Sequence, residues 1–159
     1  MPTGEAIGPS GVLLHTPGLV FPFVTFSKNL AALPGISPRC REVIIILVST
    51  LMETPVEVHL HKIQASTLGF TPDELNTIER AECPASLKED EKVCFEVAKE
   101  MTLKIGTLKL ELWDKAVEVL SKPGAAALVQ NIAFYKYVST FMNGFAGELP
   151  PKTLQGWNR

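Results

Sequence analysis

Four Ser/Thr-Pro dipeptides, Thr16-Pro17, Ser37-Pro38, Thr54-Pro55 and Thr71-Pro72, punctuate the first half of the chain. A hydroxyl side chain just before a helix can accept from the helix's free backbone N–H groups. Proline at the first helical position has its φ preset and lacks only an N–H that the helix would leave unpaired. Each dipeptide therefore reads as a helix start, and the chain is forced toward a helical architecture before any core residue is considered.

The intervening segments carry the matching pattern. "SPRCREVIIILVSTLM" has a β-branched centre that would suit a buried strand, but its length and its charged beginning, Arg39, Arg41 and Glu42, favour a helix. After Thr54 and Pro55, Glu57 falls at the third helical position and Gly69 stops the run. Thr71, Pro72, Asp73 and Glu74 repeat the arrangement ahead of Leu75 and Ile78, and Ser86 with Glu89 repeats it again. Beyond Ser86, Val93, Val97 and Met101 lie four apart, and Leu87, Cys94 and Ala98 widen a core-facing stripe. "TLKLELWDKAVEVLS" is a further helix, capped from Thr107, and "KPGAAALVQNIAFYKYVSTFMNGF" is the last, apolar nearly all round from Ala125 to Met142. A helix of that kind is buried in its own domain or between subunits. Residues 1–11 read as an irregular arm and 148–159 as an irregular tail. The expectation is one all-α domain over 1–159, a bundle of about six helices.

Bulk composition narrows the function classes. The net charge of −2 and the lack of a basic stripe argue against nucleic acid as a partner. The densest apolar run, Val43–Val48, is too short to span a bilayer, so no membrane partner is expected. No basic region followed by an apolar stretch marks the N-terminus, and a soluble cytoplasmic protein is the default expectation. Cys40, Cys83 and Cys94 are widely spaced, without a Cys-x-x-Cys pair, and read as reduced thiols. Cys94 is expected to be buried and inert, and nothing nearby would activate Cys40 as a nucleophile.

The chemistry-bearing stretch is "TPVEVHLHK". It holds two of the three histidines. Glu57 and His61 are four apart, so they share a helix face, where a carboxylate orients an imidazole and favours its charged form. Such a pair can hold and pass a proton. The competing reading is that Glu57 merely completes a Thr54 capping box. His59 points elsewhere on the helix, and the His59 and His61 rings diverge by roughly 200°, which disfavours a shared metal. His15 precedes a Thr-Pro helix start and either reaches a pocket, caps a helix or faces solvent. Tyr135 and Tyr137 fall in the apolar last helix, where a buried hydroxyl needs a partner. Phe21, Phe23 and Phe26 suit a core or the walls of an apolar pocket.

Together these residues resemble the carboxymuconolactone decarboxylase family within the alkylhydroperoxidase D-like superfamily. Pro38, Arg39, Arg41 and Glu42 match a Pro-Arg-x-Arg-Glu motif, and Glu57 and His61 fall at the Glu and His of the following one. Ala65 and Gly69 continue the spacing, "GPSGVLLHTPGL" places His15, and "FYKYVSTFMN" places Tyr135 and Asn143. The similarity runs from about Gly8 to Pro150. It implies an alkylhydroperoxidase D-like helical subunit in a homo-oligomer (dimer, trimer or hexamer), a site between helices near an interface, and chemistry without metal or cofactor.

Two departures bear on function. The Cys-x-x-Cys pair of the peroxidase branch is absent, so thiol peroxidase activity is not expected. Val56 and Val58 stand where the decarboxylases carry Tyr and Trp, which reshapes the pocket edge. The expected activity is a lyase or isomerase on a small apolar carbonyl or lactone compound, acting through an enolate. Glu57, His61 and His15 are the catalytic candidates, and Tyr135, His59, Phe23 and Asn143 the substrate-binding ones. The alternative is a non-catalytic binding or assembly protein that retains the fold.

Overall fold

The computed structural model describes residues 8–145. Proline opens each of the first five helices: α1 (Pro9–Leu13), α2 (Pro17–Ala31), α3 (Pro38–Leu51), α4 (Pro55–Thr67) and α5 (Pro72–Glu79). Two more follow, α6 (Glu89–Leu103) and α7 (Leu110–Gly144). No strand occurs among the described residues, and none of their helices is long and apolar enough to cross a membrane. The described residues therefore form an all-α fold of seven helices rather than about six. α1 is not read from the sequence; it begins inside the stretch expected to be an irregular arm, where Pro9 presets φ for a short helix, while the last two helices read from the sequence join in α7. The expected tail, 148–159, lies outside the described residues.

The helix starts differ in how they are capped. The Ser37 hydroxyl accepts from the Cys40 N–H at 3.1 Å. Thr71 and Glu74 form a complete capping box: the Thr71 N–H donates to Glu74 Oε2 at 2.8 Å, and the Glu74 N–H donates to Thr71 Oγ1 at 3.2 Å. Four caps expected from the sequence do not form. Thr16 makes no side-chain cap; its hydroxyl donates to the Leu13 carbonyl at 3.5 Å. Thr54 makes no side-chain cap; its hydroxyl is turned to Asn143 Oδ1 at 3.2 Å. Ser86 donates instead to Glu74 Oε1 at 2.8 Å, and α6 starts later, with Glu91 reaching back to the Lys88 N–H at 3.0 Å. Thr107 lies ahead of α7, whose first turn is flanked by Lys109.

α3 is the central helix. Residues Cys40 and Val43 through Ser49 are buried on every side, which explains why its sequence shows no polar face. It packs on α4, α6 and α7. Val43, Ile44, Ile46, Leu47 and Val48 meet Val93, Val97 and Ala98 of α6 and Leu128 and Ile132 of α7 in one core. Burying each such side chain contributes roughly 1.5–3 kcal/mol. Arg39 fastens α3 to α6 at its edge: Nε donates to the buried Glu91 at 2.5 Å, while the guanidinium lies 3.6 Å from the centre of the Phe70 ring. A second, smaller core joins Leu30 of α2, Val56 of α4, and Phe134, Val138 and Met142 of α7.

α7 is broken at Ser121, where φ is 66° and ψ 165°, two residues before Pro123. Proline lacks the N–H and clashes with the preceding turn, so the two helices read from the sequence meet here end to end. Gly124 follows at once, and its backbone touches that of Gly35: a Cβ on Gly124 would lie 2.6 Å from the Gly35 carbonyl oxygen. The α2–α3 turn thus rests directly on α7. Between Gly124 and Met142 the exposed residues of α7 form one stripe, Ala126, Gln130, Ala133, Tyr137 and Thr140, so this part of the helix is less enclosed by its own chain than its composition implies.

Candidate functional site

His61 stands between two carboxylates from different helices. Its Nδ1 is 2.8 Å from Glu42 Oε2 on α3, and its Nε2 is 3.6 Å from Glu57 Oε2, one turn back on α4. The α3–α4 packing produces the first contact and the four-residue spacing the second. Tyr135 of α7 closes the third side, its ring edge-on to His61 with centroids 5.5 Å apart. The site is therefore built where α3, α4 and α7 converge.

The groups differ in access. Glu57 is 3% exposed, while the side chain of His61 keeps 21% of its surface. His61 and Glu42 line a cleft of about 470 Å³ together with Arg41, Leu60, Gln64 and Leu68. Glu57 sits deeper. Its Oε1 is buried with no hydrogen-bond partner among the described residues, beside Gly8, where a Cβ would stand only 3.5 Å from it. Burial pushes the Glu57 carboxyl above the usual carboxylate range, with the His61 charge pulling the other way. The Tyr135 hydroxyl is also raised, by burial first and then by Glu57 and Glu42, while Arg41 opposes them. The arrangement is an imidazole held at one nitrogen by Glu42 and facing, at the other, a buried carboxyl with raised proton affinity.

This geometry bears on one of the two readings of Glu57, the capping box. With the Thr54 hydroxyl turned to Asn143, no capping box uses the Glu57 side chain. Asn143 explains the difference: its Nδ2 donates to the Met52 carbonyl at 2.6 Å and its Oδ1 accepts from Thr54, tying the end of α7 to the α3–α4 turn. Both ends of that amide, expected to face substrate, are occupied by backbone and Thr54.

The remaining candidates are dispersed. His15 is exposed on the turn after α1, stacked on Phe145 with centroids 5.6 Å apart. His59 lies near Lys62 and Glu79; burial, then Lys62, hold it below the usual histidine range, with Glu79 opposing. Phe23 belongs to a second groove, of about 430 Å³, with Leu19, Pro22, Phe26, Phe134 and Tyr137. That groove and the His61 cleft share no lining residue. An unbroken series of ring contacts nevertheless links them, from His61 to Tyr135, Phe134 and Phe23.

Sequence reasoning placed Glu42 in a motif but gave it no role, and it missed Arg41 and Gln64 as cleft residues. Gln64 is three positions after His61, a spacing that puts both on one face. The buried Cys40 thiol donates to Asp90 Oδ2 at 3.3 Å. No group of three or more His, Cys, Asp or Glu side chains among the described residues is arranged to hold a metal ion. No protein-family model matches this chain, and no curated protein matches it.

Proposed function

We propose that this protein is a cofactor-free lyase or isomerase of the carboxymuconolactone decarboxylase type, acting on a small carbonyl or lactone compound through an enolate. The observation that carries this reading is His61 on the wall of the cleft, flanked by Glu42 at 2.8 Å and Glu57 at 3.6 Å. Glu42 fixes the ring. His61 moves a proton to or from carbon beside the carbonyl, exchanging it with Glu57, whose burial favours the protonated carboxyl. Tyr135 lies close enough to His61 to shape the substrate's position, and Arg41 offers positive charge to a developing enolate oxygen. Decarboxylation, dehydration, double-bond migration and ring closure all pass through such an intermediate, as in a secondary-metabolite pathway.

The rival reading, a binding or assembly protein that keeps the fold, drew its support from Glu57 as a helix cap. That support falls with the missing cap. The reading extends to a homo-oligomer in the cytoplasm: Leu19, Phe21, Val24 and Phe26 leave α2 with large exposed apolar side chains.

The test is proton exchange at carbon. Unsaturated lactones, enones and β-keto acids are incubated with the protein in D2O, and deuterium beside the carbonyl is followed by NMR. The wild type is expected to catalyse exchange on a member of this panel, and folded His61→Ala to lose it. Undiminished exchange in both His61→Ala and Glu57→Gln overturns the reading.

A further inference from the structure

The start of α1 lies over the Glu57 carboxyl. Gly8 turns at φ 68°, in the left-handed region that favours glycine, and a Cβ on it would stand 3.5 Å from both Glu57 Oε1 and Leu60 Cδ1. Beneath it Oε1 is buried and has no hydrogen-bond partner among the described residues, while Oε2 is 3.6 Å from His61 Nε2. The titratable groups that face this carboxyl are His61 on α4 itself, Tyr135 on α7 and, on the far side of His61, Glu42 on α3. α1 itself, of sequence Pro-Ser-Gly-Val-Leu, brings no charged side chain to the contact. An ionised Oε1 beneath it has no counter-charge on that side.

α1 is also lightly fastened. It has five residues, of which only Leu13 is buried, with Val12 packed partly against the smaller core. No backbone hydrogen bond among the described residues joins residues 8–13 to α4. A helix of this length is not stable on its own, and one with so little burial belongs to the part of a fold that opens locally.

We propose that α1 is a pH-operated strap, closed over Glu57 while that carboxyl carries its proton and lifted when the carboxyl ionises and takes from water the donor that Oε1 lacks. A neutral carboxyl is tolerated beneath an apolar cover; an ionised oxygen without a partner is not. Burial raises the Glu57 carboxyl above its ordinary range, with His61 opposing. The closed form therefore has its full stability below the ordinary carboxylate range and loses it as the pH rises through the raised value. Between those two points the open population grows by about tenfold per pH unit, and above the raised value it levels off. The strap follows from the burial of Glu57 and does not depend on the reaction assigned to the cleft.

The test is amide hydrogen exchange, read by mass spectrometry on peptides of the full chain from about the ordinary glutamate value up to neutral pH. Residues 8–14 are the same in wild type and Glu57→Gln, so the ratio of their exchange rates cancels the intrinsic effect of pH. Glu57→Gln keeps His61, Glu42 and Tyr135, so any response owed to those groups cancels as well. The ratio of wild type to variant is expected to be near one at the acid end and to rise by about tenfold or more toward neutral pH. A second measurement uses the wild type alone, so a variant that fails to fold does not end the test. Exchange at 8–14, corrected for intrinsic rates and compared with 43–49 of α3, is expected to rise with pH, because the strap opens while the core stays closed. A wild-type to variant ratio that stays at one, or a rise shared equally by 8–14 and 43–49, overturns the proposal. Exchange at carbon is a separate readout, so failure of the strap leaves the reaction at His61 standing, and failure of that reaction leaves the strap.

Discussion

At the scale of single residues, His61 and Glu42 should fail in different ways. Folded His61→Ala removes the proton carrier and is expected to lower carbon-proton exchange by about 10²–10⁴-fold, the usual contribution of a positioned acid–base group. Glu42→Gln keeps the shape and a hydrogen-bonding oxygen but withdraws the charge opposite Nδ1, and is expected to cost about 10²-fold or more by the same kinetic assay. Equal rates in wild type and Glu42→Gln would remove Glu42 from the machinery. The sequence exposed Glu57 and His61 because their partnership is local, four residues along one helix. Glu42 was opaque because its contact with His61 spans 19 residues and exists only once α3 and α4 have packed. Asn143 misled for the same reason: its partners Thr54 and Met52 are brought to it by tertiary structure, and they take the hydroxyl that local rules assign to a cap.

The helices and their junctions offer predictions of a different kind. Thr71→Ala removes a complete capping box and is expected to cost about 1 kcal/mol in chemical denaturation. Asn143→Ala breaks the tie between α7 and the α3–α4 turn and leaves the Met52 carbonyl without that donor, an expected loss of about 1–2 kcal/mol. If Asn143→Ala is neutral, the tie contributes nothing to stability. At the break in α7 two effects compete in Gly124→Ala. Better helix propensity favours the variant by about 1 kcal/mol, but overpacking costs about 1–3 kcal/mol. The clash wins, because the opposing atom is the Gly35 backbone rather than a yielding side chain; a lowered thermal midpoint is the expected result. Most helix starts were legible because the Pro signal is local chemistry. The exact capping was less so, since Ser86 and Thr54 are drawn to partners on other elements. The short helix at Pro9–Leu13 was hidden by surrounding glycines and prolines that also suit a loop.

For the molecule as a whole, the exposed apolar side chains of α2 and the open stripe of α7 predict self-association. Sedimentation is expected to show an oligomer that Phe21→Glu with Phe26→Glu shifts toward monomer; a monomeric wild type would contradict this. Stability and chemistry meet at Glu57. A carboxyl whose pKa is raised by folding adds stability that is fully present below the ordinary carboxylate range and is lost as the pH rises through the raised value. Above that point the buried charge is a cost, offset by its use in the proposed proton transfer. The most direct measurement is therefore the unfolding free energy of wild type and Glu57→Gln across the acid-to-neutral range, with exchange activity read on the same samples. Glu57→Gln is expected to be the more stable protein at neutral pH, with an advantage that shrinks as the pH falls to about the ordinary glutamate value, and to be inactive. A Glu57→Gln protein that is less stable at neutral pH and fully active would contradict this.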